Sequence, residues 1–204
     1  MVADDKLAFS SFVLSAGVSL ANSNLARMCG SAQDQQCPTT QSSTLDNFSS
    51  SYANDGHEDQ SYSGYCQYSL YCFSHTADAP GSTNPWWLVD FGSLRAVGSG
   101  MVRGRTDSLE GESRLDGFEV YIGSNILGYN SAGNSRCYVD TTYQHDIPPY
   151  SQSFTCVGAG QYLYVVLPGD NRILTMVELE VYPLSGMCAG TGKKRVCVKH
   201  SVIE

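Results

Sequence analysis

Near the end of the folded region, the run Leu174-Thr175-Met176-Val177-Glu178-Leu179-Glu180-Val181-Tyr182 alternates apolar and polar side chains, and Pro183 follows it. A period of two describes a strand that buries one face, and proline ends a hydrogen-bonded ladder. The same pattern recurs in Phe118-Glu119-Val120-Tyr121-Ile122, and Gln161–Leu167 is strongly β in composition. Trp86-Trp87-Leu88-Val89-Asp90-Phe91-Gly92 reads as a strand ending in a turn, and one of its two tryptophans must point inward. Further short strands are expected near 97–103, 117–123, 137–141 and 153–157. Between them lie turn signals such as Asn54-Asp55-Gly56 and the Gly/Asn/Ser-rich stretch 124–136. Many short strands separated by turns describe an antiparallel β-sandwich.

A chain of 204 residues fits one domain with short extensions. We expect an N-terminal extension or signal remnant over 1–21, a domain over 22–183 and a cysteine-containing tail over 184–204. Leu7, Leu14 and Val18 would share one face of a short N-terminal helix. Asp4 and Asp5 make this end a poor secretion leader. No stretch is long and apolar enough to insert across a bilayer.

Eight cysteines lack zinc-type spacing, so disulfides in an oxidising compartment are the better reading. The guess of nearest-neighbour pairing is 29–37, 66–72, 137–156 and 188–197. Asn47-Phe48-Ser49 is a glycosylation sequon. Both features fit a secreted, extracellular protein. The formal net charge of −8 opposes binding to nucleic acid or an anionic membrane, which need a basic footprint.

One local basic group stands out. Arg105-Thr106-Asp107 enters a loop that ends at Arg114, and His75 lies thirty residues before Arg105. We expect His75, Arg105 and Arg114 to form one polar cluster that grips a sugar, with Asp107 orienting the arginines. Sugar hydroxyls both donate and accept, and a guanidinium offers five donors in a rigid fork. The loop 58–83 carries Tyr62, Tyr65, Tyr68, Tyr71 and Phe73, candidates for an aromatic wall beside the site. The basic run Lys193-Lys194-Arg195 reads as a solvated segment.

The motifs Asn24-Leu25-Ala26, Thr40-Gln41-Ser42-Ser43, Asp55-Gly56, Cys72 to His75, Asn84-Pro85-Trp86-Trp87, Arg105-Thr106-Asp107, Leu115 to Val120 and Glu178 to Tyr182 occur in an order that resembles the F-type lectins, or fucolectins. These lie within the coagulation-factor-V/VIII (discoidin-like) superfamily. The resemblance spans about residues 22–183. It implies a jelly-roll sandwich that binds L-fucose through His75, Arg105 and Arg114, with Asp107 between the arginines. It also implies calcium held by side chains of Asp55 and Glu178 and by carbonyls of Tyr52, His57 and Val177. The spacings from His75 to Arg105 and from Asp107 to Arg114 are longer than the family's usual motif. Ser108-Leu109 stands where members often carry adjacent cysteines that pack on the sugar, so an altered sugar preference follows.

The expected function is a secreted lectin for fucosylated glycans, in innate recognition or cell adhesion. Weak single sites gain from multivalency, so an oligomer or a multidomain parent is expected. The alternative is a discoidin-like adhesion module, including gamete recognition, that binds protein or a lipid headgroup. An enzyme is not expected. Glu110 and Glu112 sit on one tight loop and cannot straddle a glycosidic bond, and no GxSxG or HExxH motif occurs.

Overall fold

The computed structural model describes residues 23–30, 34–57, 73–77, 82–105, 113–141 and 151–184, together with the backbone pairs 188–189 and 196–197. Several expectations lie outside the described residues. They are the N-terminal helix, the wall formed by Tyr62, Tyr65, Tyr68 and Tyr71, the Cys66–Cys72 pair, and the Lys193-Lys194-Arg195 run. Asp107, Leu109, Glu110 and Glu112 also lie outside them.

Among the described residues ten strands follow in chain order: β1 (Thr39–Gln41), β2 (Ser74–His75), β3 (Trp86–Arg103), β4 (Glu119–Gly123), β5 (Asn134–Val139), β6 (Ser151–Val166), β7 (Thr175–Met176), β8 (Glu178–Pro183), β9 (Cys188–Ala189) and β10 (Val196–Cys197). The main pairings are antiparallel, in the order β1-β3-β6-β4-β5, with β8 also on β3. The expected antiparallel β-sandwich is therefore present.

Two long strands build both layers. The sequence reading placed separate strands at 86–92 and near 97–103, and others near 153–157 and 161–167. In the structure each couple is one strand, β3 and β6. Their pairing shifts register between Asp90 and Arg95 and again between Val97 and Ser99. An extra residue on one strand bends it and raises its twist, so one strand can serve two layers. Gly92, at φ 70°, sits in the first of these irregular stretches. The first half of β3 pairs with β1 and with the end of β6, which also carries β4. The second half pairs with β8 and with the start of β6. β5 starts at Asn134, earlier than the expected 137, because the 124–133 loop closes on itself through Asn125 and Asn134.

Trp87, Val89, Phe91, Val97, Val102, Phe118, Val120, Phe154, Leu163, Val165, Leu179 and Val181 join one buried cluster between the layers. Each such side chain contributes ~1.5–3 kcal/mol through burial. Trp87 is the inward tryptophan, and its Nε1 donates to the Ser50 carbonyl at 2.8 Å. Leu88, Tyr164 and Val166 pack with Trp86 in a separate cluster, so the first layer is covered on both faces. Disulfides Cys29–Cys37 and Cys137–Cys156 agree with nearest-neighbour pairing. Cys188 and Cys197 are Cα partners in the β9–β10 ladder.

The alternating run 174–182 divides rather than forming one strand. Val177 donates its N–H to the Arg103 carbonyl at 2.8 Å, and the chain changes partner there. β8 continues along β3, whereas β7 pairs with β2 and so holds His75 opposite Thr175. This change of partner sets the position of the candidate site.

Candidate functional site

His75 lies buried on β2, 3 % exposed. Its backbone is clamped from two sides. Its N–H donates to the Phe48 carbonyl at 3.3 Å, and its own carbonyl accepts from Leu45 N–H at 3.1 Å. Gln41 Nε2 donates to the same carbonyl at 3.1 Å and to the Phe48 carbonyl at 2.9 Å. The 41–48 segment and β2 therefore form one hydrogen-bonded unit.

Arg114 reaches this unit from a separate 3₁₀ turn, Ser113–Leu115. Leu115 anchors the turn in the core, and Gly117, at φ 78°, donates its N–H to the buried Asp140 carboxylate at 3.0 Å. Arg172 Nη2 donates to the Asp116 carbonyl at 2.6 Å. With its base held, Arg114 places Nη1 2.8 Å from His75 Nε2. A guanidinium only donates, so Nε2 accepts. His75 Nδ1 then carries the ring proton and donates to the Thr76 carbonyl. The two contacts together assign a neutral imidazole with its acceptor nitrogen turned toward Arg114.

Arg105 follows the end of β3. Its guanidinium carbon stands 4.4 Å from the centroid of the Phe73 ring. Phe73 stacks on Phe48 at 4.8 Å between centroids, and both rings tilt against His75, at 6.0 and 5.7 Å. Phe73 is thus in contact with both the Arg105 guanidinium and the His75 ring. Arg103, the third arginine of that region, is held instead by Ser151 Oγ at 3.1 Å and by Glu180 at 4.0 Å.

Gln41, Phe48 and Asp140 were not assigned to the site from sequence. Gln41 belongs to a motif that was noted, but no role followed from it. Phe48 and Asp140 carry no local signal, because their partners lie far away in the chain.

Two of the expected calcium ligands, Asp55 and Glu178, lie near each other at another place in the fold. Glu178 is 1 % exposed, and its Oε2 accepts from Gly56 N–H at 3.1 Å. Its Oε1 is buried without a hydrogen-bond partner. Burial first, and then the neighbouring Asp55 and Glu180 charges, push its pKa up to about 8; the Gly56 N–H and Arg27 pull the other way. Asp55 Oδ1 accepts from His57 N–H at 2.8 Å. Gly56 has φ 83°, and a Cβ there would meet the Arg27 guanidinium at 2.8 Å, so only glycine suits this turn. An orphaned carboxylate oxygen beside a second carboxylate fits a hard cation, which takes oxygen ligands. Among the described residues no group of three or more His, Cys, Asp or Glu side chains gathers for a metal, so carbonyls would have to complete the shell.

No family model matches the sequence, and no curated protein matches it. Solved structures do match. A fucolectin from striped bass (Morone saxatilis) serum superposes with a TM-score of 0.62 at 27 % identity, over 79 % of this chain and 48 % of that one. The chain therefore spans about half of that lectin. A Streptococcus pneumoniae fucose binding module gives a TM-score of 0.56 at 26 % identity, over 80 % of this chain and 96 % of the module. A family 32 carbohydrate-binding module of Clostridium perfringens NanJ, solved with galactose, gives 0.52 at 14 % identity, over 71 % of this chain and 92 % of the module, a likeness of fold alone.

The fold is that of the β-sandwich lectins and carbohydrate-binding modules. Within that class the chain resembles the F-type lectins, in the order of its motifs and in its three-dimensional structure.

Proposed function

We propose that this chain is a lectin that binds fucose-containing glycans through Arg105, Arg114 and His75, with Asp107 orienting the arginines. The observation that carries the proposal is the 2.8 Å contact between Arg114 and the acceptor nitrogen of His75. A sugar hydroxyl can replace that contact when the two groups part. It donates to Nε2 and accepts from the guanidinium, which a group that only donates or only accepts cannot do. Charge-assisted bonds of this kind contribute ~1.5–3 kcal/mol each. Water competes for the same groups, so single-site affinity is weak and multivalent presentation strengthens it, which favours an oligomer or a larger parent.

No reaction is part of this function. Binding needs donors and one acceptor, and buried Phe73, packed against Phe48 and Arg105, supports them from beneath. Calcium would be held by Asp55 and Glu178 together with the carbonyls of Tyr52, His57 and Val177. It would supply positive charge that neutralises the buried carboxylate and ties the 50–57 turn to β8. An extracellular setting fits the two described disulfides. Innate recognition and cell adhesion are the roles that such a lectin serves.

Retention on fucose-agarose tests the assignment. Arg105→Ala should abolish it while the melting temperature stays close to wild type, and retained binding would remove the assignment. A glycan array separates this reading from the adhesion-module alternative. That alternative draws on Ile126 and Leu127, adjacent apolar residues exposed at 55 % and 86 %. No binding to any glycan, together with binding to a protein or a lipid headgroup, would favour it.

A further inference from the structure

The sequon Asn47-Phe48-Ser49 is the one Asn-x-Ser/Thr sequence in the chain, and the structure puts it beside the candidate site. Asn47 is exposed on a turn in which Asp46 adopts φ 45°. The next residue, Phe48, is part of the floor. Its carbonyl accepts from His75 N–H, and its ring stacks on Phe73. The turn is braced by Phe48 N–H to the Leu45 carbonyl at 3.0 Å and Ser49 N–H to the Asn47 carbonyl at 2.9 Å. The sequon asparagine is therefore the immediate chain neighbour of the residue that holds His75.

A polar groove of about 380 Å³ runs along the same segment, and hydroxyls of Thr39, Thr40, Thr44 and Ser49 line it with Asp46 and Asn47. Such a lining suits the hydroxyls of a first sugar unit, since each side can both donate and accept.

We propose that Asn47 carries an N-linked glycan that stands at the mouth of the His75–Arg114 cluster and restricts the entry of outside sugars. The restriction rests on the sugar-binding reading above, whereas the modification does not. The donor is an oligosaccharide linked to a lipid diphosphate in the secretory pathway. The Asn47 side-chain nitrogen forms a bond to C1 of the first N-acetylglucosamine. The bond between C1 and the diphosphate oxygen breaks, the lipid diphosphate leaves, and one amide proton is released. The attached chain is branched and anchored next to the floor of the site, so its local concentration there is high at every protein concentration.

The full chain, secreted from eukaryotic cells behind a cleavable leader, provides the test. Peptide-N-glycosidase should lower its mass and convert Asn47 to aspartate. Asn47→Gln should lack the glycan. Ser49→Thr keeps both the sequon and a side-chain cap on the turn at 50–54, and should retain it. The enzyme-treated protein and Asn47→Gln should then bind immobilised fucose several-fold more tightly than the glycosylated form. An unmodified Asn47 overturns the proposal entirely. A modified Asn47 with equal retention of both forms overturns the restriction. If no form is retained on any sugar, the sugar-binding reading fails and the restriction with it, while the mass result still decides the modification.

Discussion

Arg114 donates to His75 Nε2 across 2.8 Å, while the other ring nitrogen of His75 donates to the Thr76 carbonyl. The imidazole is thereby fixed as an acceptor toward the site, although it belongs to a residue that can charge. Arg114→Ala and His75→Phe should each cost about 1.5–3 kcal/mol in binding, roughly a ten- to hundredfold loss of affinity for a fucosyl ligand. Titration calorimetry measures the loss, and wild-type affinity in His75→Phe would show that Nε2 takes no part.

The Arg105 guanidinium rests over Phe73 at 4.4 Å. Phe73→Leu keeps an apolar side chain but removes the ring face that attracts the cation, a contact of about 0.5–2 kcal/mol. Fucose affinity should fall by several-fold, and Arg105→Lys should fall further because the planar fork is lost. Frontal affinity chromatography on the two variants is the measurement. Wild-type affinity in Phe73→Leu would mean that the ring does not position Arg105.

Glu178 has a folded-state pKa of about 8, above its ordinary value of 4.5. A carboxyl raised in this way favours the fold fully below the ordinary value, and that contribution is lost as pH rises through about 8. In chelator, stability should therefore decline across this range by up to about 1.4 kcal/mol per pH unit. Glu178→Gln should flatten the decline. Calcium should raise the melting temperature of the wild type at pH 8 and leave Glu178→Gln unmoved. Equal calcium shifts in both proteins would exclude Glu178 as a ligand.

Cys137 of β5 is bonded to Cys156 in the first half of β6, across a separation of 19 residues. Because β5 otherwise pairs with β4, this bond ties the edge of one layer to a strand of the other. Replacing both cysteines with serine should cost about 2–4 kcal/mol, chiefly by freeing the unfolded chain. Urea unfolding measures it. A loss below about 1 kcal/mol would show that core packing alone holds that edge.

Strand character was legible in local pattern, because side chains alternate wherever a single face is buried. That one of the two tryptophans points inward follows from the same alternation, and two of the disulfide pairs follow from closeness in sequence. The extent of strands was not legible. Phe91 to Val97 contains Gly92 and Ser93, which look like an ending, yet β3 passes through them with bulges because β6 supplies partners on both sides. The break at Val177 was equally hidden, since its cause is the distant Arg103 carbonyl.

Gln41, Phe48 and Asp140 show the same limit at the site. Each acts on a residue many positions away, through a hydrogen bond or a ring contact that no local period encodes. Composition and alternation are short-range properties of the chain and are enough to specify a sandwich with a basic loop. Which nitrogen of His75 accepts, and what stands beside Asn47, depend on segments brought together by packing. Those relations exist only once the two layers have closed.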